Sequence, residues 1–137
     1  MTMHHAGLAE VVRRDPRYAY EAYEFVFAAL THTQRTLGRV PREVPEGEIG
    51  PEYHVSGPEL LEGIRELALR EFGLMARTVF HMWGIESTGD FGEIVFNLVE
   101  SNLMSKTDAD TRADFRDIYD FDEALVQNYR IVLDEAE

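Results

Sequence analysis

Residues 56–73, SGPELLEGIRELALREFG, decide how this chain folds, because they carry one helix from its first cap to its last residue. Ser56 and Glu59 stand three apart, the spacing at which each side chain satisfies the other's free amide. Leu60, Leu61, Ile64, Leu67 and Ala68 then fall on one face at a 3.6-residue period, and Gly73 is placed to end the run. A segment so patterned needs other helices to cover its apolar face, which predicts a mainly α protein.

Working upstream, residues 39–57, RVPREVPEGEIGPEYHVSG, hold three prolines and three glycines. No long helix or central strand crosses such a stretch, so it reads as an extended surface loop, with 52–55 (EYHV) able to lie as a short edge strand. Before it, 17–38 (RYAYEAYEFVFAALTHTQRTLG) place Ala19, Tyr23, Val26, Leu30 and Leu37 near a helical period, with Phe25 and Phe27 widening the apolar face and Gly38 at the end. Residues 6–14 (AGLAEVVRR) make a short amphipathic helix through Leu8, Val11 and Val12 that Asp15-Pro16 interrupts. Residues 1–5 are expected to be disordered.

Downstream, 74–85 (LMARTVFHMWGI) predict another helix to about Trp83. After the turn at 86–89, Asp90 and Glu93 form a second box ahead of Ile94, Val95, Leu98 and Val99, in a helix reaching about Met104. Residues 106–125, KTDADTRADFRDIYDFDEAL, hold seven carboxylates. Asp120 and Glu123 are again three apart, just before Leu125, Tyr129 and Val132, so the acids read as helix initiation at the positive end of the macrodipole. Phe115, Ile118, Tyr119 and Phe121 read as anchors to the core.

The expected fold is therefore mainly α, one domain over 1–137 with five to six helices around one core. A small β-pair of 52–55 with 115–119 is admitted, which would give a winged-helix-like C-terminal half. Tyr23, Val26, Leu30, Leu61, Ile64, Ala68, Phe80, Ile94, Leu98 and Leu125 are the expected core.

Several blocks, HVSGPELLEGIRELALREFG (54–73), WGI (83–85), DFGEIVFNLVE (90–100), DFRDIYDFDEAL (114–125) and RYAYEAYEFVFAALTHTQRTLGR (17–39), resemble a conserved hypothetical family of planctomycetes and verrucomicrobia. The likeness covers about residues 14–126 and implies a bacterial origin. That family has no assigned activity, so it implies no catalytic or binding residue.

Charge and composition bound the function. Asp plus Glu number 26 against 13 Lys plus Arg, a net charge of −13, which repels nucleic acid and anionic lipid and favours a basic protein surface as partner. The absence of cysteine removes disulfides, thiolate metal sites and a cysteine nucleophile. The N-terminus carries no secretory pattern and no window approaches a membrane span, so a cytoplasmic location is expected.

The motifs that carry chemistry are weak. Asp108-Ala-Asp110-Thr-Arg112 puts Arg112 where an EF-hand needs an oxygen ligand, and lacks the following glycine. Neither Ala29 to His32 nor Thr78 to His81 supplies the Glu-x-x-His of a di-iron bundle. His32, His54 and His81 could hold a metal only by converging in space, which their spacing does not require. Arg77 and His81, four apart, share a helix face and oppose each other's charge. His4, third from a free amine if Met1 is removed, offers only adventitious copper or nickel binding. There is no nucleophile elbow and no phosphate-cradling glycine loop. As a winged helix, the chain would present Glu93, Asn97 and Glu100 to DNA and carry Asp108, Asp110 and Asp114 on its wing, the wrong sign for phosphates.

No residue is thus nominated as catalytic, cofactor-binding or metal-ligating, and no cofactor is expected. The function read first is a small acidic helical interaction or regulatory module. An enzyme or metal protein with a site assembled from remote residues comes second, and a winged-helix nucleic-acid binder third.

Overall fold

The computed structural model describes residues 7–39, 54–106 and 110–127. Its five α-helices are α1 (Leu8–Arg14), α2 (Tyr20–Thr36), α3 (Gly57–Phe72), α4 (Ala76–Met82) and α5 (Thr88–Glu100). Short 3-10 turns lie at Gly73–Met75 and Arg112–Phe115, and a π-helical turn at Asp122–Gln127. The expectations for residues 1–5, for most of 39–57, and for Tyr129 and Val132 lie outside the described residues, as do His4 and Asp108.

The capping box that opens α3 is made in both directions. Glu59 N donates to Ser56 Oγ at 3.3 Å and Ser56 N donates to Glu59 Oε1 at 3.0 Å. Pro58 falls in the first turn, where no intrahelical amide bond is lost. The expected face of α3 is the buried one, and the helix ends at Gly73.

α2 and α3 form the spine of the fold. Phe25 packs on Phe72 and His32 meets Glu66, while Arg39, just beyond α2, reaches Glu59, so rising numbers along α2 meet falling numbers on α3 and the pair is antiparallel. Gly63 sets how closely they approach: a Cβ there would lie 1.8 Å from Thr33 Oγ1. Thr33 is buried, and its hydroxyl donates to Ala29 O at 2.7 Å.

α5 packs on α4 through Phe91 against Phe80, at 5.1 Å between ring centroids, and on α2 through Asn97 bonded to Tyr23. The α1–α2 corner is tied to the turn after α4 by Ala19 N donating to Trp83 O at 3.1 Å. Gly84 comes next at φ +89°, and a Cβ there would sit 2.0 Å from Arg17 O, so only glycine fits. One apolar core joins all five helices to Phe115, Phe121 and Leu125, and all ten residues expected in it are buried.

Leu37 and Ile118, expected against the core, are exposed, and α5 ends at Glu100, short of Met104; two larger expectations also need correction. The strand pair of 52–55 with 115–119 is not supported: no strand occurs among the described residues, and the winged-helix likeness goes with it. Arg112–Phe115 is a 3-10 turn, and Asp117 at φ +49° breaks the extended run a strand would need. The polar groups of this segment bond to helices instead of a ladder. Ile118 N donates to Thr88 Oγ1 at 3.1 Å and Tyr119 OH to Leu61 O at 2.7 Å.

The second correction concerns the start of α5. The helix begins at Thr88 with Ser87 as its cap, so Asp90 is the third helical residue and not the cap. The Asp90 carboxylate accepts from Glu86 N at 2.8 Å and Ser87 N at 3.2 Å. Glu93 reaches Arg112 and Arg17 instead. Asp120 does cap the π-helical turn, its Oδ1 accepting from Asp122 N at 2.9 Å and Glu123 N at 3.2 Å.

Candidate functional site

A connected polar cluster lies where the α1–α2 corner meets α5. Arg17 grips Asp15 through Nε at 2.8 Å and Nη2 at 2.7 Å, and Asn97 Nδ2 donates to Asp15 Oδ2 at 2.8 Å. The same Asn97 amide reaches Tyr23 OH at 3.1 Å, and Tyr18 OH donates to Asp90 at 2.6 Å. A hollow of about 300 Å³ beside it is lined by Val11, Arg14, Asp15, Asn97 and Glu100.

The guanidinium of Arg17, with help from Asn97, holds the Asp15 carboxyl down to about 2, against the ordinary 3.8 and against the opposing effect of burial. Such a group stays ionised and fully bonded at neutral pH, which suits neither a general acid nor a general base. Burial, with the bond to Asp90, pushes the Tyr18 hydroxyl well above its usual range. These contacts fasten the α1–α2 corner to α5.

His32, His54 and His81, whose convergence the sequence leaves open, each face a different carboxylate. His32 Nε2 lies 3.1 Å from Glu66, His54 Nε2 3.1 Å from Asp110, and His81 Nδ1 bonds Glu86. Among the described residues no group of three or more metal-ligating side chains is assembled. Arg77 and His81 do share a face, and Glu86 answers both; the hydrogen bond from His81, then Arg77, holds its carboxyl below the usual range. Arg77 also reaches Asp122 at 3.2 Å and lies over Phe121, joining α4 to the last described turn.

α5 is not built as a surface recognition helix. Phe91, Ile94, Val95, Phe96 and Leu98 are buried, and Glu93, Asn97 and Glu100 are engaged by Arg17, Arg112 and Asp15.

One open groove is not consumed in this way. It runs along α2 and α3 with a volume of about 830 Å³. Phe25 and Leu67 form its buried floor, Phe72 its half-buried end, and Ala28 a small exposed step. From Phe25 to Thr36 the helical rise of ~1.5 Å per residue makes it roughly 16 Å long. His32, Arg35 and Arg70 stand on its rim with Glu71, Thr31 and Thr36.

The rim charges differ in how they are answered. His32 faces Glu66. Among the described residues Arg70 pairs only with its sequence neighbour Glu71, at 3.8 Å with both side chains more than half exposed, a pair worth little. Arg35 is exposed and makes no ion pair among the described residues. Sequence reasoning missed this groove. Its α2 half was present as the stripe Phe25, Ala28, His32 and Arg35 at helical spacing, but Arg70 enters only through the antiparallel pairing of two helices.

Met75, just before α4, and Met82, its last residue, are 57% and 74% exposed. Among the described residues no helix is long and apolar enough to cross a membrane. Comparison with family models, curated proteins and solved structures gives no match for this chain.

Proposed function

We propose that this chain is a small helical interaction module that docks another protein in the groove between α2 and α3. The observation that carries the reading is an apolar floor of Phe25, Leu67 and Phe72 left open beside two exposed guanidiniums, in a fold whose other arginine clusters are mostly answered internally. Grooves of this kind between packed helices accept an amphipathic segment by its apolar face, with specificity from the charges at the edge. The polar cluster at Asp15 belongs to the scaffold that holds the bundle together.

The test is capture of partners from the source organism with wild type and with Ala28→Trp, identified by mass spectrometry. Ala28 is exposed on α2, so the indole fills the groove without entering the core. Proteins retained by wild type and lost from Ala28→Trp support the reading. An identical set on both removes the groove from the function.

A further inference from the structure

The charge of the whole chain and the charge of the groove point in opposite directions. With 26 acids against 13 lysines and arginines, a random patch of this surface is negative and would select a basic partner. The lining of the groove carries two guanidiniums, Arg35 and Arg70, against one carboxylate, Glu71, which pairs loosely with Arg70 at 3.8 Å; Glu66 is turned to His32, and Arg35 makes no ion pair among the described residues. At physiological salt the Debye length is ~8 Å, so distant acids are screened at contact while guanidiniums at the rim are not.

We propose that the groove takes an amphipathic helical segment of a partner protein, with apolar side chains on Phe25, Leu67 and Phe72 and aspartates or glutamates meeting Arg35 and Arg70. The inference rests on the groove being the docking surface, and deepens it by naming the partner's chemistry. A length of roughly 16 Å matches about eleven helical residues, three turns, which present an apolar stripe at i, i+4 and i+7. Guanidinium suits this role better than ammonium, because its planar fork engages a carboxylate through two bonds.

The experiment uses two fluorescein-labelled 14-residue peptides with the same leucine stripe, one flanked by glutamates and one by lysines, titrated with the full chain and read by fluorescence anisotropy. Saturable binding of the glutamate peptide, about tenfold or more tighter than the lysine peptide, is expected. The double variant Arg35→Glu/Arg70→Glu, both sites exposed, should invert that order while circular dichroism stays unchanged. Binding of neither peptide, or tighter binding of the lysine peptide to wild type, overturns the proposal.

Equal binding of both peptides, abolished by Ala28→Trp, also overturns the acidic partner while leaving the groove as the docking surface. Equal capture of cellular proteins by wild type and Ala28→Trp is the separate result that removes the groove itself. A single-stranded oligonucleotide that binds through Arg35 and Arg70 where the glutamate peptide does not would reassign the rim to phosphates and overturn the proposal.

Discussion

Replacing Gly63 by alanine tests the packing of the helix pair that builds the groove. In an exposed helix the change would stabilise by ~1 kcal/mol through propensity alone. Here the new Cβ would lie 1.8 Å from Thr33 Oγ1, less than any real Cβ tolerates, and 3.0 Å from Thr33 Cβ. The hydroxyl cannot turn away freely, because it donates to Ala29 O and Thr33 is only 4% exposed. Either the helices separate, at about 1–3 kcal/mol for overpacking, or the threonine rotates and leaves a buried polar group unbonded, at ~1–3 kcal/mol.

After subtracting the propensity gain, a net loss of roughly 0–2 kcal/mol is expected for Gly63→Ala. Thr33→Ala removes the obstructing oxygen, so the double variant should lose less than the sum of the two single changes, by ~1 kcal/mol or more. Urea unfolding followed by circular dichroism gives all four midpoints of this cycle. Additive losses, or a Gly63→Ala protein more stable than wild type, would refute the close approach inferred at this position.

The remaining predictions concern the core, a cap and acid stability. Leu98 is fully buried, and Leu98→Ala should cost about 2–5 kcal/mol in the same unfolding assay; an unchanged midpoint would remove it from the core. Asp120→Ala leaves Asp122 N and Glu123 N without their acceptor and should cost ~0.5–2 kcal/mol, read as a lower melting temperature. The Asp15 carboxyl titrates lower in the folded chain than in the unfolded one, so its stabilisation is present above about pH 4 and is lost as pH falls toward 2. Asp15→Asn should therefore be less stable than wild type at pH 7 by about 1 kcal/mol, solvent around the half-exposed Arg17 screening the pair, a difference that closes between pH 4 and 2. A gap that persists at pH 2 would show that the Arg17 pair is not its source.

Much of the local structure was legible because its causes are local. Ser56, Glu59 and the apolar stripe beyond them specify α3 within one segment, and the same logic placed α1, α2 and the cap at Asp120. The ten core residues were readable because a 3.6-residue stripe marks which face must leave water, whatever covers it. Ser87 and Asp90 show where this stops. Both are good caps, and the choice between them rests on Thr88 and Phe91 being fully buried and on Tyr18, from another element, bonding Asp90. Thr88 is spent further on Ile118, a bond that also keeps 115–119 from pairing as a strand.

The sequence by itself determined that helices form, where most begin, and which faces turn inward. Periodicity carries no information on which stripe meets which, or in what direction. Only the tertiary structure decided that α2 runs antiparallel to α3, because that depends on Gly63 admitting Thr33 and on Phe25 finding Phe72. The same pairing brings Arg35 and Arg70, separate in sequence and unremarkable in a chain of charge −13, to the rim of one groove. A local charge of opposite sign to the whole is a property of that packing, and composition averages it away.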